Sequence, residues 1–168
     1  ASAHGALAEA RGRHVKVPVS VDVSPYGLGY LVDWKGPERD VTVVIPTHSN
    51  REGLRLCLRG LLEGTEYPGL QLLVIANRCD DLQMRSDLDA LAGRPVVRVV
   101  DDPGPFNWSA LMNRAVARVD TEAVLFLNDD VEIVSADWLR RMQRFLDLPG
   151  IGAVGAMLYY PDGGLQHG

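Results

Sequence analysis

Two adjacent carboxylates, Asp129 and Asp130, follow an apolar run at residues 123–127. Adjacent carboxylates repel each other and lose solvation at a strand end, so a turn without function has little reason to hold them there. A hard divalent cation, Mn²⁺ or Mg²⁺, would remove that repulsion, and a diphosphate would complete the coordination of the cation. A solvated turn is the competing interpretation, and the doublet taken alone favours it.

Polar residues in two other segments favour a ligand site over the solvated turn. The first segment, residues 46–50, reads Pro-Thr-His-Ser-Asn and directly follows an apolar run. In the second segment, Asn107 is a good N-cap residue for a helix. Ser109 and Asn113 lie four residues apart on that helix and therefore share one face. Trp108 beside them is expected to pack in the core rather than to stack on a base.

Apolar patterning predicts the elements that position these residues. Continuous apolar runs predict strands at residues 41–45, 70–75, 96–100, 123–127 and 151–157, and helical spacing predicts helices at residues 52–63, 82–91, 107–119 and after a cap at Ser135. Asp101 and Asp102 are interpreted as a turn. Alternation of strands and helices predicts an α/β fold with a parallel-rich central sheet and helices on both faces. Ligands bind beyond the carboxyl ends of such strands, where the polar segments lie.

Composition narrows the class of protein. The chain has 168 residues, 46% hydrophobic and 23% charged, and a formal net charge of −5 that argues against a nucleic-acid partner. Cys57 and Cys79 indicate neither a disulfide framework nor a metal-ligand pair. No apolar run approaches the ~20 residues of a membrane span. We expect a cytoplasmic protein, peripheral at a membrane at most. Residues 1–40 are interpreted as an arm or short hairpin plus linker, and residues 41–168 as the functional domain.

The chain from residue 41 resembles family-2 glycosyltransferases, especially the rhamnosyltransferase-like branch. The resemblance is carried by four stretches in order: VTVVIPTHSNREGLRLCLRGLLEGTEYP, PGPFNWSALMNRAV, VLFLNDDVEIVSADWLRRM and GAVGAMLYYPDGGLQHG. It implies the nucleotide-sugar-binding part of a GT-A, Rossmann-like domain, truncated at the acceptor side. The implied reaction is metal-dependent, inverting transfer of a sugar from a UDP- or dTDP-sugar to a glycan or lipid acceptor, such as a polysaccharide or protein glycan.

The resemblance also implies roles for individual residues. Pro46 and Thr47 would line the nucleotide pocket, and Asn50 would brace that loop. Asn113 would face the donor from its helix. Asp129 would lie nearer the ribose or sugar, whereas Asp130 would hold Mn²⁺ or Mg²⁺ against the diphosphate.

The sequence departs from the family in two respects. Ala76 stands where an aspartate usually reads the base, so Asn77, Asp80 or Asp81 is expected to substitute for it. The catalytic base is expected beyond Gly168, so the chain should bind donor without transferring sugar, and its truncated edge should favour self-association.

Three other classes of function are alternatives to a glycosyltransferase. A non-catalytic nucleotide-sugar-binding or assembly module is the main alternative, because the pocket lacks the usual base-reading carboxylate. A phospho-receiver would need acidic residues after the first strand, and a nucleotidyltransferase would need a Gly-rich basic loop there. The Pro46-Thr47 pair disfavours both of these.

Overall fold

The computed structural model of the chain describes residues 19–23, 30–34 and 36–167. These residues form the strands β1 Val19–Val23, β2 Tyr30–Trp34, β3 Val41–Thr47, β4 Leu70–Asn77, β5 Val97–Asp102, β6 Ala123–Phe126, β7 Leu158–Tyr159 and β8 Leu165–His167. The helices are α1 Arg51–Glu63, α2 Leu82–Ala92, α3 Trp108–Val116 and α4 Trp138–Phe145. The chain divides into two compact units, Arg39–Asp137 and the pair of segments Ala1–Glu38 and Trp138–Gly168.

The unit Arg39–Asp137 is built on a four-stranded parallel sheet with the order β5-β4-β3-β6. In β3, Val43 pairs with Leu72 of β4 and with Leu125 of β6. The apolar residues of β3 are almost fully buried because both faces of a parallel sheet are covered, which is why its sequence is a continuous β-branched run. The predicted α/β fold with a parallel central sheet is confirmed.

Helices α1, α2 and α3 of this unit each begin at a side-chain cap, and at the start of α3 the predicted cap residue Asn107 accepts a hydrogen bond from the Ala110 amide at 2.9 Å. Asn50 Oδ1 accepts a hydrogen bond from the Gly53 amide at 3.2 Å at the start of α1, and Asp81 Oδ1 accepts one from the Met84 amide at 2.7 Å at the start of α2. Such caps satisfy amide groups that have no partner within the helix. The buried stripe of α1 is Leu54, Cys57, Leu58 and Leu61.

Helix α3 differs in detail from its prediction. It ends at Val116, three residues earlier than expected, and Val116 is 41% exposed. Met112 is buried together with Leu111 and Ala115 against β3 and β4. These three residues centre the buried face between positions 111 and 112, so Val116 lies farther around the helix, outside that face.

The predicted turn at Asp101 and Asp102 is wrong. Both residues belong to β5, where they pair with Ala76 and Asn77 of β4. The strand continues through them because β4 is long enough to supply ladder partners. Arg114 of α3 also neutralises Asp102, with a guanidinium-to-carboxylate distance of 2.7 Å.

The predicted fifth strand at residues 151–157 is also wrong. Those residues form no strand, and the short β7 that follows pairs antiparallel with β8. Gly152 and Gly155 interrupt the predicted run, and glycine weakens a strand because it loses the most backbone entropy and packs no side chain. In the turn before β8, Gly163 has a φ of +86°, which favours glycine.

The positions of α4, β1 and β2 agree more closely with the prediction from the sequence. Helix α4 begins three residues after the predicted cap at Ser135, and Leu139 is buried while Phe145 is 44% exposed. Where a hairpin or an arm was expected, β1 and β2 pair antiparallel, with Val21 opposite Val32. The rest of the predicted arm, residues 1–18, 24–29 and 35, lies outside the described residues, and the division at residue 40 stays a prediction.

Candidate functional site

A cleft of about 250 Å³ opens at the carboxyl ends of β3, β4 and β6, within the unit Arg39–Asp137. This is the edge at which parallel sheets bind ligands. Its lining consists of strand-end residues and the segment before α3: Pro46, Thr47, His48, Ser49, Asn50, Asn77, Phe106, Trp108, Asn128, Asp129 and Asp130. Four chain segments that are distant in sequence thus meet around one cavity.

Asp129 is held in place by side chains from the end of β3. The buried Thr47 hydroxyl donates to Asp129 Oδ2 at 2.6 Å, and Asn50 Nδ2 lies 3.4 Å from Oδ1. Hydrogen bonds to an ionised carboxylate are stronger than neutral ones, and two of them limit rotation of the carboxyl group. Thr47 and Asn50 therefore orient Asp129.

Helix α1 supports the segment that carries the carboxylates. Cys57 Sγ lies 3.8 Å from the Asn128 carbonyl oxygen. Burial, together with the charges of Asp129 and Asp130, raises the pKa of the Cys57 thiol to about 12. The thiol is therefore neutral, and it is a buried packing residue rather than a nucleophile.

The donor atoms at Asp129 and Asp130 fit a hard divalent cation. Within the described residues, no lysine or arginine forms an ion pair with either carboxylate, and Asp130 is exposed to the cleft. In the same residues, no group of three His, Cys, Asp or Glu side chains is arranged to hold a metal. A site with two carboxylates suits Mg²⁺ or Mn²⁺, because such ions take their remaining ligands from water and substrate phosphate.

A second network fixes the end of β4. The Asn77 amide nitrogen donates to the backbone oxygens of Asp102 and Gly104, at 3.1 and 3.0 Å. The backbone carbonyl oxygen of Asn77 lies 2.8 Å from His48 Nδ1. Burial opposes ionisation of Asp102, but hydrogen bonds from Arg114, the Gly104 amide and Asn77 outweigh it and hold the pKa of Asp102 below its ordinary value. The network joins β4, β5 and α3 beside the cleft.

The structure brings six of the predicted site residues into the cleft lining: Pro46, Thr47, Asn50, Asn77, Asp129 and Asp130. It places two others outside that lining. Asn113 lies exposed on α3, and Asp81 caps α2. Ala76 is buried in β4 and offers no polar side chain.

Five lining residues were not predicted as site residues: His48, Ser49, Phe106, Trp108 and Asn128. Phe106 is 66% exposed in the cleft, and His48 is exposed there as well. The expectation that Trp108 packs in the core is wrong, because Trp108 is 43% exposed and lines the cleft while it contacts Phe126 edge-to-face, with ring centroids 5.7 Å apart. Their positions in the sequence could have identified three of them as site residues. His48 directly follows Thr47, and Phe106 and Trp108 flank the helix cap at Asn107.

Comparison with known proteins gives consistent results. Residues 42–167 match the family described as Glycosyl transferase family 2. The chain is 38% identical over 164 residues to the uncharacterized protein y4gI of Sinorhizobium fredii, and 32% identical over 146 residues to the O-antigen biosynthesis protein RfbC of Myxococcus xanthus. These alignments cover 96% and 86% of the chain but 18% and 11% of the relatives, so the chain spans less than a fifth of their length.

A solved structure with a similar fold is the mannosyltransferase PcManGT from Pyrobaculum calidifontis in complex with GDP-Man and Mn²⁺. The TM-score is 0.60 at 17% identity, over 95% of this chain and 45% of that one. At this identity the likeness concerns the fold alone, and it agrees with a GT-A, Rossmann-like architecture. None of the helices within residues 36–167 has the length and apolarity that a bilayer crossing requires.

Proposed function

Because the chain belongs to glycosyl transferase family 2, we propose that it is the nucleotide-sugar-binding part of an inverting, metal-dependent glycosyltransferase. The observation that carries this proposal is the pair Asp129–Asp130 in a cleft at the carboxyl ends of parallel strands, with Asp129 oriented by Thr47. The donor is a UDP- or dTDP-sugar, and the acceptor is a glycan or lipid. The O-antigen biosynthesis protein among the relatives supports a polysaccharide acceptor.

The carboxylates are the proposed metal site. Asp130, which is exposed in the cleft, and Asp129 would hold Mn²⁺ or Mg²⁺. When bound, the cation supplies Lewis-acid stabilisation of the nucleoside diphosphate that leaves. The mannosyltransferase of similar fold is in complex with a nucleotide sugar and Mn²⁺, which supports this choice of ligands.

The other predicted residues of the lining orient the Asp129 carboxylate and bind the donor. Thr47 and Asn50 orient the Asp129 carboxylate through hydrogen bonds, and Pro46 lines the cleft beside them. A donor contact for Asn113 or Asp81 requires a ligand that extends beyond the cleft lining. The proposal therefore rests on the six predicted residues that line the cleft.

None of the six predicted residues that line the cleft is proposed as the base that takes the proton of the acceptor hydroxyl. Inverting transfer needs a base opposite the leaving group, and loss of a general base typically costs about 10²–10⁴-fold in rate. We therefore propose that residues 1–168 alone bind donor but transfer sugar slowly or not at all. A non-catalytic nucleotide-sugar-binding or assembly module is the second candidate, favoured by Ala76 in place of a base-reading carboxylate.

Self-association and location belong to the same proposal. Met157, Tyr159 and Tyr160 are more than half exposed, and exposed apolar patches often mark contact surfaces. We propose that this segment mediates contact with a second copy or with a neighbouring chain. The proposed location is the cytoplasm, with at most a peripheral association with a membrane.

Calorimetric titration tests the donor site directly. UDP and dTDP are titrated into the chain with Mn²⁺, with Mg²⁺ and with a chelator. We expect saturable binding that needs the cation, since the carboxylates repel a diphosphate in its absence. Binding of equal strength in chelator would contradict the metal role, and no binding under any condition would contradict the proposed function.

A further inference from the structure

We propose that His48 reads the nucleobase: its Nε2 accepts a hydrogen bond from a ring N–H of the base. The cleft would then select uracil, thymine or guanine, which carry such a ring N–H, over cytosine and adenine, which present a bare ring nitrogen on the same edge. The inference rests on the proposed function and assigns the base-reading residue that Ala76 leaves open.

The tautomer of His48 follows from its partner. His48 Nδ1 lies 2.8 Å from the Asn77 carbonyl oxygen, which can only accept a hydrogen bond. Nδ1 must therefore carry the proton, and in the neutral imidazole Nε2 is then an acceptor. Within the described parts of the chain, no group forms a hydrogen bond with Nε2, so its lone pair is available to a ligand.

The other candidates for reading the base are buried or lie outside the cleft lining. Ala76 has no polar side chain, and the Asn77 amide nitrogen donates to the backbone oxygens of Asp102 and Gly104 and to Asp102 Oδ1. Asp81 accepts from the Met84 amide and lies outside the cleft lining. Asp80 also lies outside the cleft lining. Asn77 is only 3% exposed, whereas His48 is exposed at the β4 side of the cleft and its Nε2 is unengaged within the described chain.

The position of His48 suits a base rather than a phosphate. In the sheet order, β3 lies between β4 and β6. His48 leans to the β4 side, where it contacts Asn77, whereas Thr47 bonds Asp129 on the β6 side. β4 and β6 are about 10 Å apart, because each lies one strand spacing from β3. We therefore place the base at the β4 side of the cleft and the diphosphate at the β6 side. The ionisable groups that share this cleft with His48 are Asp129 and Asp130.

The experiment compares UDP with CDP, which share ribose and diphosphate but differ in the ring edge. With Mn²⁺ present, calorimetry on the wild-type chain should show UDP binding about tenfold or more tighter than CDP, the value of one well-placed hydrogen bond. His48→Asn places its amide near Nδ1 and keeps the contact to Asn77, but it lacks the acceptor at Nε2. Its UDP-to-CDP ratio should fall close to one. His48→Gln reaches the Nε2 position and should restore part of the preference.

Each outcome has a separate meaning. If the wild-type chain binds neither nucleotide with Mn²⁺, the proposed function fails. If it binds UDP in a Mn²⁺-dependent way but His48→Asn leaves the UDP-to-CDP ratio unchanged, the role of His48 fails while the proposed function stands. Nitrogen-15 NMR of the imidazole gives an independent readout. A proton on Nε2 instead of Nδ1 in the free protein, or an unchanged Nε2 signal on UDP binding, would also overturn the inference.

Discussion

Asp129 and Asp130 are adjacent in sequence but differ in their surroundings. Asp129 is half-buried and receives hydrogen bonds from Thr47 and Asn50, whereas Asp130 is exposed. The first carboxylate is therefore oriented by the protein, and the second is free to bind a ligand. We therefore expect Asp130 to be the principal metal ligand and Asp129 to be a positioned carboxylate beside it.

Replacement of Asp130 tests that distinction. Asp130→Ala should weaken Mn²⁺-dependent binding of a nucleoside diphosphate by more than about tenfold, because loss of even a supporting group typically costs 10–100-fold in metal affinity. The fold should be unchanged, since the residue is exposed at a strand end. Asp89→Ala, which removes an exposed carboxylate on α2, is the matched control. Calorimetry with and without Mn²⁺ measures the effect, and wild-type affinity in Asp130→Ala would contradict the metal role.

Ala76 leads to a prediction about base preference. UDP, dTDP and GDP should bind within about a hundredfold of one another, because each offers a ring N–H and Ala76 supplies no side chain that distinguishes them further. One neutral hydrogen bond contributes about 1 kcal/mol net. Competition binding with the three nucleotides in Mn²⁺ measures the ratios. A preference above a hundredfold, on the order of 2.7 kcal/mol, would mean that another residue reads the base.

At the scale of elements, α1 braces the carboxylate segment. Cys57 contacts the Asn128 carbonyl, and a Cβ on Gly60 would approach Ile133 Cβ to 2.9 Å. Glycine at position 60 thus permits a close approach between α1 and the segment that follows Asp130. The helix positions the site although none of its buried apolar side chains lines the cleft.

The ends of β4 and β5 are tied to α3 through Asp102, whose side chain is 12% exposed. Because its pKa in the folded state is depressed, this aspartate contributes stability above its unfolded pKa of about 3.9, and that contribution is lost as the pH falls through the folded-state pKa. Asp102→Asn should therefore cost about 1 kcal/mol near neutral pH. The cost should shrink toward zero at lower pH. Urea unfolding of both proteins across that range measures it, and a difference independent of pH would contradict the linkage.

Helix α2 offers a matched pair of leucines for testing its packing. Leu88 is 1% exposed and Leu82 is 86% exposed on the same helix. Leu88→Ala should lower the free energy of unfolding by about 2–5 kcal/mol through lost burial and a residual cavity. Leu82→Ala should change it by less than about 0.5 kcal/mol. Denaturant unfolding of the two variants provides the comparison, and equal losses would contradict the buried face assigned to α2.

At the scale of the whole molecule, ligand binding and folding of the cleft-bearing unit are linked. The cleft joins the ends of three strands, so donor and cation bind only the folded chain. UDP with Mn²⁺ at a hundred times its dissociation constant should raise the free energy of unfolding by about 2.7 kcal/mol. Thermal unfolding followed with nucleotide, cation or both measures the shift. Nucleotide alone in chelator is the control, and an equal shift there would show that the cation is not needed.

Local patterning in the sequence was sufficient to predict much of this protein. The β-branched runs from Val41 and Leu70 identify strands buried on both faces, and the stripe of α1 identifies its inner side, because burial repeats with the geometry of each element. Strand ends then place Thr47 and Asp129 at the edge where ligands bind. Six of the eight predicted site residues line the cleft for this reason.

Only the tertiary structure decided which groups meet. The Thr47–Asp129 hydrogen bond joins residues 82 positions apart, and the His48–Asn77 contact joins residues 29 apart. The periodic spacing of apolar residues does not predict such contacts, because they depend on strand order and on the approach of separate loops. For the same reason Asp81, polar and near a strand end, caps a helix instead of lining the cleft. An apolar run such as residues 151–157 becomes a strand only when a neighbouring strand supplies hydrogen bonds, and within the described chain none does.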